Sequence, residues 1–87
     1  MVKMINDTPQ PENRFKTRDL YEASVCYAMK LPLLQLERVG RQCWFIFDNY
    51  TECKRLTESY WRRDLIVNAK DYAEAIRSLK DRIFLEN

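Results

Sequence analysis

Five large apolar residues follow one another without a break at Cys43-Trp44-Phe45-Ile46-Phe47, framed by Arg41-Gln42 and Asp48-Asn49. A strand with one wet face alternates apolar and polar residues, and this run does not. Cys43, Phe45 and Phe47 point one way while Trp44 and Ile46 point the other, so both faces need cover. The strand therefore lies between two layers, or another molecule closes its second face.

Little of the 87-residue chain is available to provide that cover. Residues 1–13 read as a flexible polar tail and 14–87 as one small domain. About 74 structured residues bury roughly 60–65% of the surface their unfolded chain exposes. A composition 46% hydrophobic supports a packed core and excludes wholesale disorder. Gly40 is the only glycine, which excludes the glycine-rich loops that cradle phosphates. There is no histidine, so the commonest general base and metal ligand are both missing. Cys26, Cys43 and Cys53 lie 17 and 10 residues apart, without a Cys-x-x-Cys pair. They read as reduced core thiols of a cytoplasmic protein, and no metal or cofactor is expected. The net charge of +2 neither implies nor forbids nucleic acid. No apolar run reaches the roughly 18–20 residues of a membrane span, and Met1–Ile5 is too short and polar for a secretory signal.

Along the chain, Asn6–Asn13 is proline-punctuated and extended, and Met1–Ile5 reads as a frayed end. Thr17 is the expected N-cap of a helix over about Arg18–Lys30 that Pro32 stops. Leu33–Val39 reads as a strand with Leu34 and Leu36 on one face and Gln35 and Glu37 on the other. Gly40 makes the hairpin turn, and Gln42–Phe47 returns antiparallel as the more central strand. Asn49 with Glu52 resembles a capping box opening a helix over about Tyr50–Arg63. Leu65–Val67 is a candidate third strand. Asn68 and Asp71 then open a last helix over about Ala69–Leu85. The expected class is α+β, in the order helix, strand, strand, helix, short strand, helix. An antiparallel hairpin, extended to three strands if Leu65–Val67 joins, packs with three helices.

Four groups of residues are candidates for chemistry. The strand Arg41–Asp48 is compared with the basic-aromatic strand of RNA-recognition folds. Arg41, Phe45 and Ile46 fit, but Gln42, Cys43, Trp44 and Asp48 do not. Tyr60-Trp61-Arg62-Arg63 combines rings with guanidinium groups, a pairing that suits bases and phosphates. Its bland alternative is core closure by the rings and helix-end neutralisation by the arginines. Arg14, Lys16 and Arg18 form another basic cluster, which would share a patch with Arg38 and Arg41 only if the fold brings them together. The carboxylates at helix starts (Asp19, Glu22, Asp48, Glu52, Asp71 and Glu74) are explained by capping. The five tyrosines read as core-edge packing.

The stretches Phe15–Tyr21, Trp44–Phe47, Val67–Ala73 and Ala75–Lys80 resemble a family of short bacterial and phage proteins known only as a domain of unknown function. The resemblance covers about residues 14–84. It implies a stand-alone bacterial or mobile-element protein and supplies no site residue. The expected function is a non-catalytic module that binds protein, including a second copy of itself, through Trp44, Ile46, Leu34 and Leu36. The alternative is a nucleic-acid-binding accessory protein using Arg14, Lys16, Arg18, Arg38, Arg41, Trp61, Arg62 and Arg63.

Overall fold

The computed structural model describes residues 13–85. The readings of Met1–Ile5 and of the tail up to residue 12 lie outside these residues. Three helices and a three-stranded antiparallel sheet give the α+β class. In chain order they are β1 (Phe15–Thr17), α1 (Leu20–Ala28), β2 (Leu33–Val39), β3 (Gln42–Phe47), α2 (Tyr50–Arg62) and α3 (Ala69–Leu85). The sheet order is β1-β3-β2, so the apolar strand is central as its composition demands.

The third strand is β1, not Leu65–Val67. Phe15 pairs with Phe47, Lys16 with Ile46 and Thr17 with Phe45. With β2 on the other side, both edges of β3 are filled at Phe45–Phe47, and Leu65–Val67 has no edge there to join. That segment instead links α2 to α3 without strand pairing, and Ile66 is 90% exposed.

The start of α1 also differs from expectation. Asp19, not Thr17, is the N-cap, and its Oδ1 accepts from the N–H groups of Tyr21 (2.8 Å) and Glu22 (3.1 Å). A carboxylate serves the positive helix end better than a hydroxyl does. Thr17 ends β1 instead, its Oγ1 donating to Glu22 Oε1 at 2.7 Å. At its other end α1 closes with Lys30 N–H donating to Tyr27 O and Leu31 N–H to Cys26 O. This paired closure stops the helix before Pro32 does.

Asn49 and Asn68 cap the other two helices as expected, their side-chain oxygens accepting from Glu52 N–H (3.2 Å) and Asp71 N–H (2.9 Å). Gly40 has φ +61° at the first central position of the two-residue β2–β3 turn. That is where a type II′ hairpin places glycine.

The helices cover one face of the sheet. Phe45 and Phe47 are buried with Ala23 and Cys26 of α1, Cys53 of α2 and Leu79 of α3. Two positions of β2 fall differently from the simple alternation. A bulge between Leu33 and Gln35 pairs Leu33 with Phe47 and Leu36 with Phe45. One extra residue shifts the parity, so Leu33 and Leu36 pack against the core while Leu34 is 42% exposed. Leu34 and Leu36 therefore do not share a face.

The opposite face carries Trp44 and Ile46, and the chain's own side chains bury Ile46 while leaving Trp44 half-buried. Lys16 and Gln35 flank Ile46 in the register, and Glu37 pairs with Trp44. Lys16 Nζ reaches Glu37 Oε1 at 3.1 Å across the strand between them. The Lys16 ammonium and the Arg18 guanidinium each lie 5.3 Å from the centre of the Trp44 ring. Long side chains that lay aliphatic stems on apolar surface while keeping their charges wet do the work of a second layer. Ile46 is 4% exposed as a result.

Candidate anion-binding cleft

β1 is three residues long and β3 is six, and that mismatch makes the candidate site. Beyond Thr17 the chain leaves the sheet to start α1, so Gln42, Cys43 and Trp44 pair with β2 alone. The lane that a longer β1 would fill is a cleft of about 710 Å³. Its floor is Cys43, Trp44 and Phe45 of β3, with Leu20 of α1 and Ile83 of α3. Its rim carries Lys16 of β1, Arg18 of the following linker, Arg38 of β2 and Arg41 of the turn.

The charges around this opening are unbalanced. Asp19 is the one carboxylate lining the cleft, and it already caps α1. Arg38 Nη2 donates to the carbonyl of Ile83 at 3.1 Å, which sets a cation near the negative end of α3. Lys16 shares its charge with Glu37. Among the described residues, Arg18, Arg38 and Arg41 form no ion pair. The cleft therefore presents a positive rim over an apolar floor, beside the stretch of β3 that β1 does not pair.

The fold divides the sequence candidates. Lys16, Arg18, Arg38 and Arg41 converge here, a juxtaposition the sequence alone left open. Arg14 is exposed ahead of β1 and lies outside the cleft lining. Trp61, Arg62 and Arg63 sit at the far end of α2 and are absent from that lining too. Trp61 Nε1 donates to Glu22 Oε2 at 2.6 Å, and its ring meets Tyr60 edge-on at 5.1 Å. Arg62 Nε pairs with Asp64 Oδ2 at 3.1 Å, and Arg63 takes the helix-closing position. Of the protein-interface candidates, Trp44 borders the cleft, Ile46 and Leu36 are turned to other uses, and Leu34 stands exposed at the bulge.

Cys43, Leu20 and Ile83 line the cleft without a site signature of their own in the sequence. The one signal for them was the brevity of the apolar stretch at Phe15, which leaves part of β3 without a neighbour. Among the described residues no group of three or more His, Cys, Asp or Glu side chains is placed to hold a metal ion. No helix among them is long and apolar enough to cross a membrane.

The model of one family, Domain of unknown function (DUF5659), matches residues 12–85, from just before β1 to the end of α3. The chain belongs to this family. The match takes in every element of the fold and all the cleft residues, so the site is part of the DUF5659 domain and not an appendage to it. No curated protein and no solved structure matches the chain.

Proposed function

We propose that this DUF5659 protein is a non-catalytic interaction module whose cleft receives an acidic segment of a partner protein. The supporting observation is the convergence of Lys16, Arg18, Arg38 and Arg41, from separate elements, on one cleft whose single carboxylate is engaged as a cap. Clustered cations, of which Arg18, Arg38 and Arg41 have no ion-pair partner among the described residues and Lys16 pairs with Glu37, attract an anionic ligand and speed its approach. The apolar floor of Leu20, Phe45 and Ile83 favours a peptide over a polynucleotide. The Trp44 ring, with Lys16 and Arg18 already over it, is poorly free to stack on a base. The bacterial or mobile-element setting implied by the resemblance belongs to this proposal.

Pairing of two copies through the ribbon keeps a narrower basis. Ile46 is covered within the chain, so the outer face no longer calls for a second copy. The outer edge of β2 has no strand beyond it among the described residues, and Leu34 and Val39 are exposed along it. A concentration-independent monomer mass in analytical ultracentrifugation at micromolar protein removes this part.

Fluorescence anisotropy separates protein from nucleic acid. A labelled peptide of alternating glutamate and valine is expected to bind, and to lose at least about tenfold in affinity with Arg18→Glu and Arg41→Glu. Arg62→Ala with Arg63→Ala should leave that binding unchanged. Tighter binding of a labelled oligothymidylate, falling steeply with salt and with the Arg62/Arg63 pair removed, would overturn the proposal.

A further inference from the structure

Resting on the cleft reading above, we infer that the partner segment binds as an added β-strand along Gln42–Trp44, in the lane that β1 leaves empty. Val39 and Gln42 flank the two-residue turn and form the closing hydrogen-bonded pair of the hairpin. In an antiparallel ladder hydrogen-bonded and non-hydrogen-bonded pairs alternate. The next pair, Arg38 with Cys43, is therefore non-hydrogen-bonded, and the Cys43 N–H and C=O point away from β2 into the lane. Thr17 closes β1 opposite Phe45, two residues along and on the same parity. The incoming strand thus continues a ladder that β1 has already begun.

The chemistry of the occupant follows from the register. A residue opposite Cys43 directs its side chain to the inner face, where Cys43, Arg38, Leu20 and Ile83 lie, and a mid-sized apolar side chain fits there. Its two neighbours point to the outer face, toward Lys16 and Arg18 around Trp44 and toward the turn at Arg41. Acidic side chains suit those positions. The partner is accordingly an extended acidic–apolar–acidic segment. Main-chain bonds supply affinity and the alternating side chains supply selectivity, as in other strand-addition complexes.

A blocked heptapeptide of alternating glutamate and valine tests this, titrated into the full chain by calorimetry. Two analogues carry N-methyl groups, one on every valine and one on every glutamate. Both keep the charge and the apolar groups, but each removes the N–H donors of one parity. Strand addition predicts that the N-methylvaline analogue, which lacks the N–H that would bond the Cys43 carbonyl, binds at least about tenfold more weakly than the parent. The N-methylglutamate analogue binds nearly as well, and the reverse order overturns this register. Equal affinity of both analogues, whether retained or lost together, overturns strand addition. In that case a parent affinity that still falls with Arg18→Glu leaves the cleft reading standing. No parent binding up to about 1 mM overturns the cleft reading itself.

Discussion

Lys30 and Arg63 hold φ values of 71° and 68°, in the left-handed region where helix closures usually place glycine. An L-residue with a side chain costs about 1–2 kcal/mol there, partly offset by glycine's greater freedom in the unfolded chain. Lys30→Gly and Arg63→Gly should each stabilise the fold by up to about 1 kcal/mol, read from urea denaturation midpoints. Two other residues set the alkaline limit. The neighbouring Cys53 thiol and burial push the Cys26 thiol well above its ordinary 9.0. Burial and the neighbouring Tyr60 hydroxyl push the Tyr72 phenol above its ordinary 10.0. Both are acids kept neutral by the fold, so the unfolded chain loses their protons first. Their contribution is whole below the unfolded values and is lost as pH rises past them. Stability should fall from pH 9 upward, with Cys26→Ala flattening the first part of the decline and Tyr72→Phe the part above pH 10. A pH series of denaturation curves checks both. At this scale the asparagine caps were legible, because a side-chain oxygen three residues before a free N–H is a local device. The choice of Asp19 over Thr17 was not, since β1 recruits Thr17 and only the folded chain contains β1.

Elements with a clear period could be read directly, and those without one could not. The strands Leu33–Val39 and Gln42–Phe47 and the helix Ala69–Leu85 have the bounds their patterns predict. β1 is too short to show an alternation, while Leu65–Val67 has the right composition but links α2 to α3 without pairing, and β1 takes the edge of β3 at Phe45–Phe47. Within β2 the bulge moved Leu36 inward and Leu34 outward, something pairing with β3 decides. The consequence is measurable at Ile46, which composition alone assigns to a face in need of a partner. Because the chain's own side chains cover it, Ile46→Ala should cost about 2–5 kcal/mol even in a monomer. Leu34→Ala, at the exposed bulge, should stay within about 0.5–1 kcal/mol. Equal effects in guanidinium denaturation would show that Ile46 is not enclosed.

For the whole molecule, the three thiols report on how the chain is closed. Cys26 and Cys53 are fully buried between α1 and α2, whereas Cys43 borders the open cleft. Iodoacetamide with mass-spectrometric mapping should modify Cys43 in the native protein. Cys26 and Cys53 should react only at the rate of global unfolding. Fast labelling of all three would contradict the core described above. The amino-acid order by itself determined the α+β class, the central place of β3, the hairpin at Gly40 and the span of the last helix. Each rests on local period, backbone freedom or capping, which act between residues a few positions apart. Only the tertiary structure decided which segment became the third strand, what covers Trp44 and Ile46, and that Lys16, Arg18, Arg38 and Arg41 meet. Those outcomes depend on which strand edges are already taken and how far a long side chain reaches across them, and such distances exist only once the sheet has formed.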